Sequence, residues 1–132
     1  MLYLDASAFV KRYIEEAGSD LLTEAMDGSR ATSTCRIGFV ETVRAIAMSG
    51  NRRDVKKMES EWGLLDIVEV DQVLAEHAAE LAVSQGLRSL DALHLAAALS
   101  LSDTDLTFAT WDRRLHRAAR DQGLKTLPAA LE

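Results

Sequence analysis

The chain has 132 residues, 48% of them hydrophobic and 27% charged, with a single proline. That composition excludes a disordered or fibrous chain, and the length suffices to bury a core without a disulfide or a structural metal, so one domain over residues 1–132 is expected. A formal net charge of −6, from 21 acidic and 15 basic residues, argues against a protein that grips nucleic acid by bulk charge alone. In chain order, "LYLD" (2–5) reads as a short strand ending in an acid, and "ASAFVKRYIEEAG" (6–18) has helical spacing that stops at a glycine. Ser19 and Asp20 are positioned to cap a second helix through "LLTEAMDG", and "ATSTC" (31–35) reads as the next strand. Helices follow at 37–50 and 52–65, then a strand in "DIVEV" and a helix over 71–86, with Asp71 as its cap and Gly86 as its stop. "LDALHLAAALSL" is a helix, "DLTFAT" a strand, "DRRLHRAARDQG" a helix and "LKTLP" a last edge strand. Apolar strands separated by helices, with no tight hairpin signal, predict an α/β fold: a three-layer α/β/α sandwich around a mainly parallel sheet.

Cys35 is the only cysteine, so neither an internal disulfide nor a cysteine-based zinc cluster is available, and a reducing compartment is expected. The N-terminal "MLYLDASAFVKRY" has no basic lead-in and long apolar core of a signal peptide, and no apolar run approaches a bilayer span; a cytoplasmic protein is expected.

Four acids stand out. Asp5 and Asp112 close or follow strands, and ligands of open parallel sheets collect beyond the carboxyl ends of strands. Both are equally suited to capping the helices that follow them. With Ser89 as the expected cap, Asp91 falls in the first turn of a very apolar helix, where the helix dipole favours its charge but an unpaired carboxylate is costly, so a positive group should meet it. Glu41 lies on a helix face shared with Ile37, Gly38, Ala45 and Met48, and Arg44 is the cation nearest to it in sequence. If the four converge, a divalent cation relieves their repulsion, and hard oxygen ligands without cysteine suit Mg²⁺ or Mn²⁺. His77, His94 and His116 lack ligand-pair spacing and are read as surface or packing residues.

With those acids in place the chain resembles the PIN-domain ribonucleases, in particular VapC-type toxins of toxin–antitoxin pairs. The segments that carry the resemblance are "LYLDASAFVKRY", "FVETVRA", "LRSLDALHLAAAL" and "LTFATWDRRLHRAARDQG", and together they span nearly the whole chain. The resemblance implies that Asp5, Glu41, Asp91 and Asp112 are the catalytic, metal-binding acids. Asp5 and Asp91 would hold the principal Mg²⁺, with Mn²⁺ able to substitute, while Glu41 and Asp112 act through waters or a second ion. Ser7 and Thr110 match supporting hydroxyl positions. The implied activity is metal-dependent hydrolysis of RNA, of the transfer or ribosomal class, by a toxin that a VapB-type antitoxin neutralises and that forms homodimers.

The charge objection eases once the basic residues are placed. Arg113, Arg117 and Arg120 form one stripe of the last helix and make a candidate RNA-binding rim, whereas Arg52, Arg53, Lys56 and Lys57 read as a solvated face. Apolar positions such as Phe9, Val10, Tyr13, Leu21 and Leu22 offer weak support for a dimer face, with core packing the simpler explanation for most of them. Two rival readings are a catalytically silent PIN-like protein-binding module and a Mg²⁺-dependent phosphatase-type hydrolase; "LDAS" lacks the second Asp of the phosphatase DxD pattern and the acid pair of a receiver domain.

Overall fold

A strand that is apolar at every position is stable only when both of its faces are covered, and the first strand, Leu-Tyr-Leu, is of that kind. The computed structural model describes residues 1–131. In it β1 (Leu2–Leu4), β2 (Thr32–Cys35), β3 (Asp66–Val68), β4 (Thr107–Ala109) and β5 (Lys125–Leu127) form one sheet in the order β3-β2-β1-β4-β5. Every neighbouring pair is parallel. The connections carry helices α1 (Ala6–Phe9), α2 (Ser19–Gly28), α3 (Ile37–Met48), α4 (Arg52–Trp62), α5 (Gln72–Gln85), α6 (Ser89–Ser100) and α7 (Arg113–Asp121).

The period of two along β1 divides these helices between two layers. Tyr3 enters one core with Cys35, Phe108 and residues of α5, α6 and α7, whereas Leu2 and Leu4 enter a second with Phe9, Leu22, Ile46, Met58 and Trp62 from α1 to α4. The expected α/β/α sandwich is what the chain forms. Helix α6 is nearly all core: Ala92 and His94 through Ala98 are buried, which accounts for its weakly amphipathic sequence.

Three local expectations need correction. The helix expected over 6–18 stops at Phe9 and continues only as a 3-10 turn, Val10–Arg12. Beyond it, side chains compete for the backbone: Lys11 Nζ donates to Ala17 O (2.7 Å), and Ser19 Oγ donates to Ile14 O and accepts from Glu16 N (each 2.9 Å). Ser19 is therefore no cap, and Gly18 holds the cap position with φ +93°. A Cβ on Gly18 would also meet the Trp111 indole at 2.8 Å. Likewise Ser89 is the first residue of α6 and Arg88 its cap residue, without a side-chain capping bond. Phe9, Tyr13 and Leu22 belong to the core, the simpler of the two explanations the sequence offers for them.

Helix α6 underlies the rest of its layer, and Leu95 is fully buried in it. Leu95→Ala is expected to cost about 2–5 kcal/mol, transfer and cavity contributions together. Urea unfolding checks this: the midpoint falls while the m-value stays that of the parent.

Candidate active site

Chain order runs outward from β1 through β2 and β3 on one side, and through β4 and β5 on the other. The sheet therefore has its switch point between β1 and β4, and beyond their carboxyl ends lies the crevice that this class of sheet offers to ligands. Asp5 follows β1 and Thr110 follows β4, and Asp5 N donates to Ala109 O (3.2 Å) across the seam.

Asp5 is 3% exposed. Its Oδ1 accepts from Ala8 N (2.9 Å), which caps α1, and from Ser7 Oγ (2.7 Å); its Oδ2 accepts from Thr110 Oγ1 (2.5 Å). The two hydroxyls in turn accept backbone N–H groups, Ser7 Oγ from Trp111 (2.9 Å) and Thr110 Oγ1 from Asp112 (3.1 Å). Burial raises the Asp5 carboxyl above its ordinary value, and these donors pull it back only in part.

Asp112 also divides its two oxygens. Oδ1 caps α7 by accepting Leu115 N (2.9 Å), a bond worth about 1 kcal/mol, while Oδ2 accepts from Arg88 Nη2 (3.0 Å). Arg88 Nε reaches Asp91 Oδ2 at 3.1 Å, so one guanidinium bridges two acids that are distant in sequence. Asp91 is raised by burial first and by the Asp112 charge second, with Arg88 opposing both. The loop that carries Asp112 is pinned by Trp111, which packs on Gly18 and lies under the Lys11 ammonium, 4.9 Å from the ring centre.

Glu41 pairs with His94 rather than with Arg44: His94 Nε2 donates to Glu41 Oε1 at 2.7 Å, and the other ring nitrogen meets Tyr3 OH at 2.8 Å. The expectation that four acids close on one point is met only in part. Asp91 and Asp112 share Arg88, and Asp5 is linked to Asp112 through Thr110, but Glu41 keeps a separate partner. Among the described residues no three His, Cys, Asp or Glu side chains stand where they could hold a metal ion between them. The donor chemistry nevertheless suits Mg²⁺, which takes only one or two protein carboxylates and completes its shell with water. Asp5 is a buried carboxylate whose hydrogen-bond donors are all neutral, the setting in which a cation is favoured.

Arg113 and Arg117 are exposed on α7 and line a cavity of about 500 Å³ with His116, Arg120, Asp121, Ala130 and Leu131. Arg120 Nη1 donates to Ala129 O (2.5 Å) and so holds the C-terminal segment against the helix.

A family model for the PIN domain matches residues 2–121. The chain belongs to the PIN-domain family. Among its relatives, ribonuclease VapC45 of Mycobacterium tuberculosis is 36% identical over 141 aligned residues, covering 100% of this chain and 98% of that protein. Ribonuclease VapC47 of the same organism is 31% identical, covering 96% and 95%. Among solved structures, M. tuberculosis VapC20, described as a sarcin-ricin loop cleaving toxin, superposes with a TM-score of 0.70 at 14% identity, covering 80% of this chain and 87% of that one. FitAB bound to a DNA fragment gives 0.74 at 20% identity, covering 100% and 98%. At these identities the structures establish the PIN fold and no more.

Two participants in this PIN-domain site escape a reading of the acids alone. Arg88 supplies the positive group that Asp91 requires, and its place three residues before Asp91 is the one signal of it. His94 carries a similar signal, three residues after Asp91, but only the fold reveals that it faces Glu41 and Tyr3.

Because the folded state raises the Asp5 carboxyl, the native protein holds that proton more tightly than the unfolded chain does. The resulting stability is full below the ordinary aspartate value of 3.8 and is lost as pH rises through the folded value, leaving a penalty at neutral pH. In chelator-treated protein Asp5→Asn, which keeps a capping oxygen, is expected to melt higher than wild type at pH 7, with the gap closing as the pH is lowered toward 4. Thermal melts across that range check this, and a gap that does not change with pH contradicts it.

Proposed function

We propose that the chain is an endoribonuclease toxin that hydrolyses RNA phosphodiester bonds with the help of Mg²⁺ or Mn²⁺, and that a VapB-type antitoxin restrains it. The observation that carries this reading is the placing of Asp5, Asp91 and Asp112 around the β1/β4 seam, with Asp5 buried and met only by neutral donors. Ribonuclease names among relatives that match over their full length support the reaction class. Solved toxin–antitoxin complexes of the same fold, including one from Klebsiella pneumoniae, support the partner. No helix of the described residues is long and apolar enough to cross a membrane. We read the protein as cytoplasmic, as a homodimer in its assembled form, and as acting on a structured RNA.

In this reading Asp5 and Asp91 hold the cation directly, and Glu41 and Asp112 orient water at its margin. When bound, the ion supplies Lewis-acid charge that makes water a stronger nucleophile and offsets the charge gathering on the phosphoryl oxygens. The chain's own residues fix the geometry. Ser7 and Thr110 lock both Asp5 oxygens, so the carboxylate keeps one orientation while substrate comes and goes. Arg88, its side chain 73% exposed, is free to exchange an acid for an RNA phosphate. Arg113 and Arg117 extend that positive rim along α7, which reconciles a net charge of −6 with a polyanionic substrate.

A silent binding module would use Asp5 and Asp112 as caps and nothing else. Both do cap helices, yet each commits only one oxygen to that bond and gives the other to a second partner, Asp5 Oδ2 to the Thr110 hydroxyl and Asp112 Oδ2 to the Arg88 guanidinium.

Antitoxin-free protein is expected to cut RNA with Mg²⁺ or Mn²⁺, to stop on chelation, and to lose about a thousandfold in rate with Asp5→Asn or Asp91→Asn. Attack by water leaves 5′-phosphate and 3′-hydroxyl ends. Wild-type rates in both variants, or 2′,3′-cyclic phosphate ends, contradict the reading. Replacing Arg113 and Arg117 together by Ala is expected to weaken RNA binding uniformly across sequences and to lower the slope of log K against log salt by about 1 to 2. Filter binding at several salt concentrations reads the slope.

A further inference from the structure

Behind Glu41 lies a buried polar chain that the proposed chemistry does not yet use. His94 is 1% exposed and Tyr3 is fully buried. The ring connects Tyr3 OH, 2.8 Å from Nδ1, to Glu41 Oε1, 2.7 Å from Nε2. A carboxylate only accepts hydrogen bonds, so Nε2 carries the hydrogen that faces Glu41. In the neutral ring Nδ1 is then the bare nitrogen, and it accepts the phenol O–H, whose hydrogen-bond partner it is. Burial keeps the Tyr3 proton in place by pushing its ionisation well up. The phenol itself cannot turn aside. It is stacked on Phe108, with ring centres 5.3 Å apart and planes at 9°, and it meets His94 edge-on at 5.9 Å.

An independent feature brings Glu41 to the ring. Gly38, one turn before Glu41 on α3, has no Cβ; one built there would stand 2.9 Å from Thr34 Oγ1 and 3.5 Å from His94 Cε1. The glycine lets α3 sit close against β2 and α6, close enough for a glutamate side chain to reach a histidine in the core of the opposite layer.

We infer that His94, its tautomer set by Tyr3, is the positioning residue for Glu41, holding Oε1 from behind so that Oε2 is presented to the crevice. This is the arrangement by which carboxylate–histidine pairs elsewhere orient the group that does the chemistry. The inference rests on the reading of Glu41 as part of the nuclease site, and it adds two residues, Tyr3 and His94, that touch neither substrate nor ion.

The test is a double-mutant cycle read by RNA cleavage, by Mn²⁺ titration followed by electron paramagnetic resonance, and by thermal melting. It uses Glu41→Gln, Tyr3→Phe, His94→Gln, His94→Leu and the double variant His94→Leu/Glu41→Gln. His94→Leu is expected to lower kcat about as far as Glu41→Gln, with KM for RNA within about twofold and no further loss in the double variant. Tyr3→Phe, which keeps the ring and its stacking, is expected to lower kcat about fivefold to tenfold while melting within a few degrees of wild type. His94→Gln, which retains a donor toward Glu41, recovers part of the loss. The Mn²⁺ dissociation constant shifts in His94→Leu in the same direction and to the same extent as in Glu41→Gln.

Losses that multiply in the double variant overturn the inference. So do wild-type kcat and Mn²⁺ affinity in both Tyr3→Phe and His94→Gln while Glu41→Gln is impaired, and that outcome leaves the nuclease reading standing. Full activity in Glu41→Gln overturns the inference together with the role given to Glu41. Should His94→Leu fail to fold, Tyr3→Phe and His94→Gln decide alone.

Discussion

The Asp5 carboxylate sits at the seam between the two central strands, buried and supplied only with neutral donors, and the rest of the site is arranged around that fact. A carboxylate in such a place is costly unless its oxygens are saturated. Here Ser7 and Thr110 offset part of that cost by donating one bond to each oxygen, and the same two hydroxyls accept the backbone N–H groups of Trp111 and Asp112. The hydrogen bonds that make the buried acid tolerable thus also join the start of α1 to the loop that follows β4. Strand order, helix capping and site geometry are one structure at this point.

Around that seam each further acid has its own means of support. Asp112 is held by the N-terminus of the helix it caps, Asp91 and Asp112 by a shared guanidinium, and Glu41 by a histidine anchored in the opposite core. These supports differ in permanence. The capping bonds and the His94 link are buried or part-buried, while Arg88 is mostly exposed and is the member most easily exchanged for a cation or a phosphate. A site that must admit a polyanion without collapsing under its own negative charge requires this combination of fixed oxygens and a movable positive group.

Much of this is legible in the amino-acid sequence. The rhythm of apolar strands and helices predicted the sandwich, and Asp71, Gly86 and Asp112 marked their helix boundaries because capping is local chemistry. Where short-range side-chain bonds competed with the helix, as Lys11 and Ser19 do beyond the 3-10 turn, periodicity alone overran the true end. The four acids stood out by their contexts, but their partners did not: Arg88 reaches Asp112 across 24 positions, His94 reaches Glu41 across 53 and Tyr3 across 91. Contacts of that separation are products of strand order, which no local pattern records. Arg44, one turn from Glu41, was the cation that proximity in sequence suggested, and the fold chose a histidine from another layer.

We propose that the crevice beyond β1 and β4, with Asp5 at its base, is the place where this PIN-domain chain would hold a divalent cation. Crystals grown with Mn²⁺ and measured at a wavelength where manganese scatters anomalously test that claim directly. The account predicts a strong anomalous peak within bonding distance of Asp5, with Asp91 turned from Arg88 toward it. A map whose manganese peaks all lie away from Asp5 would contradict the account.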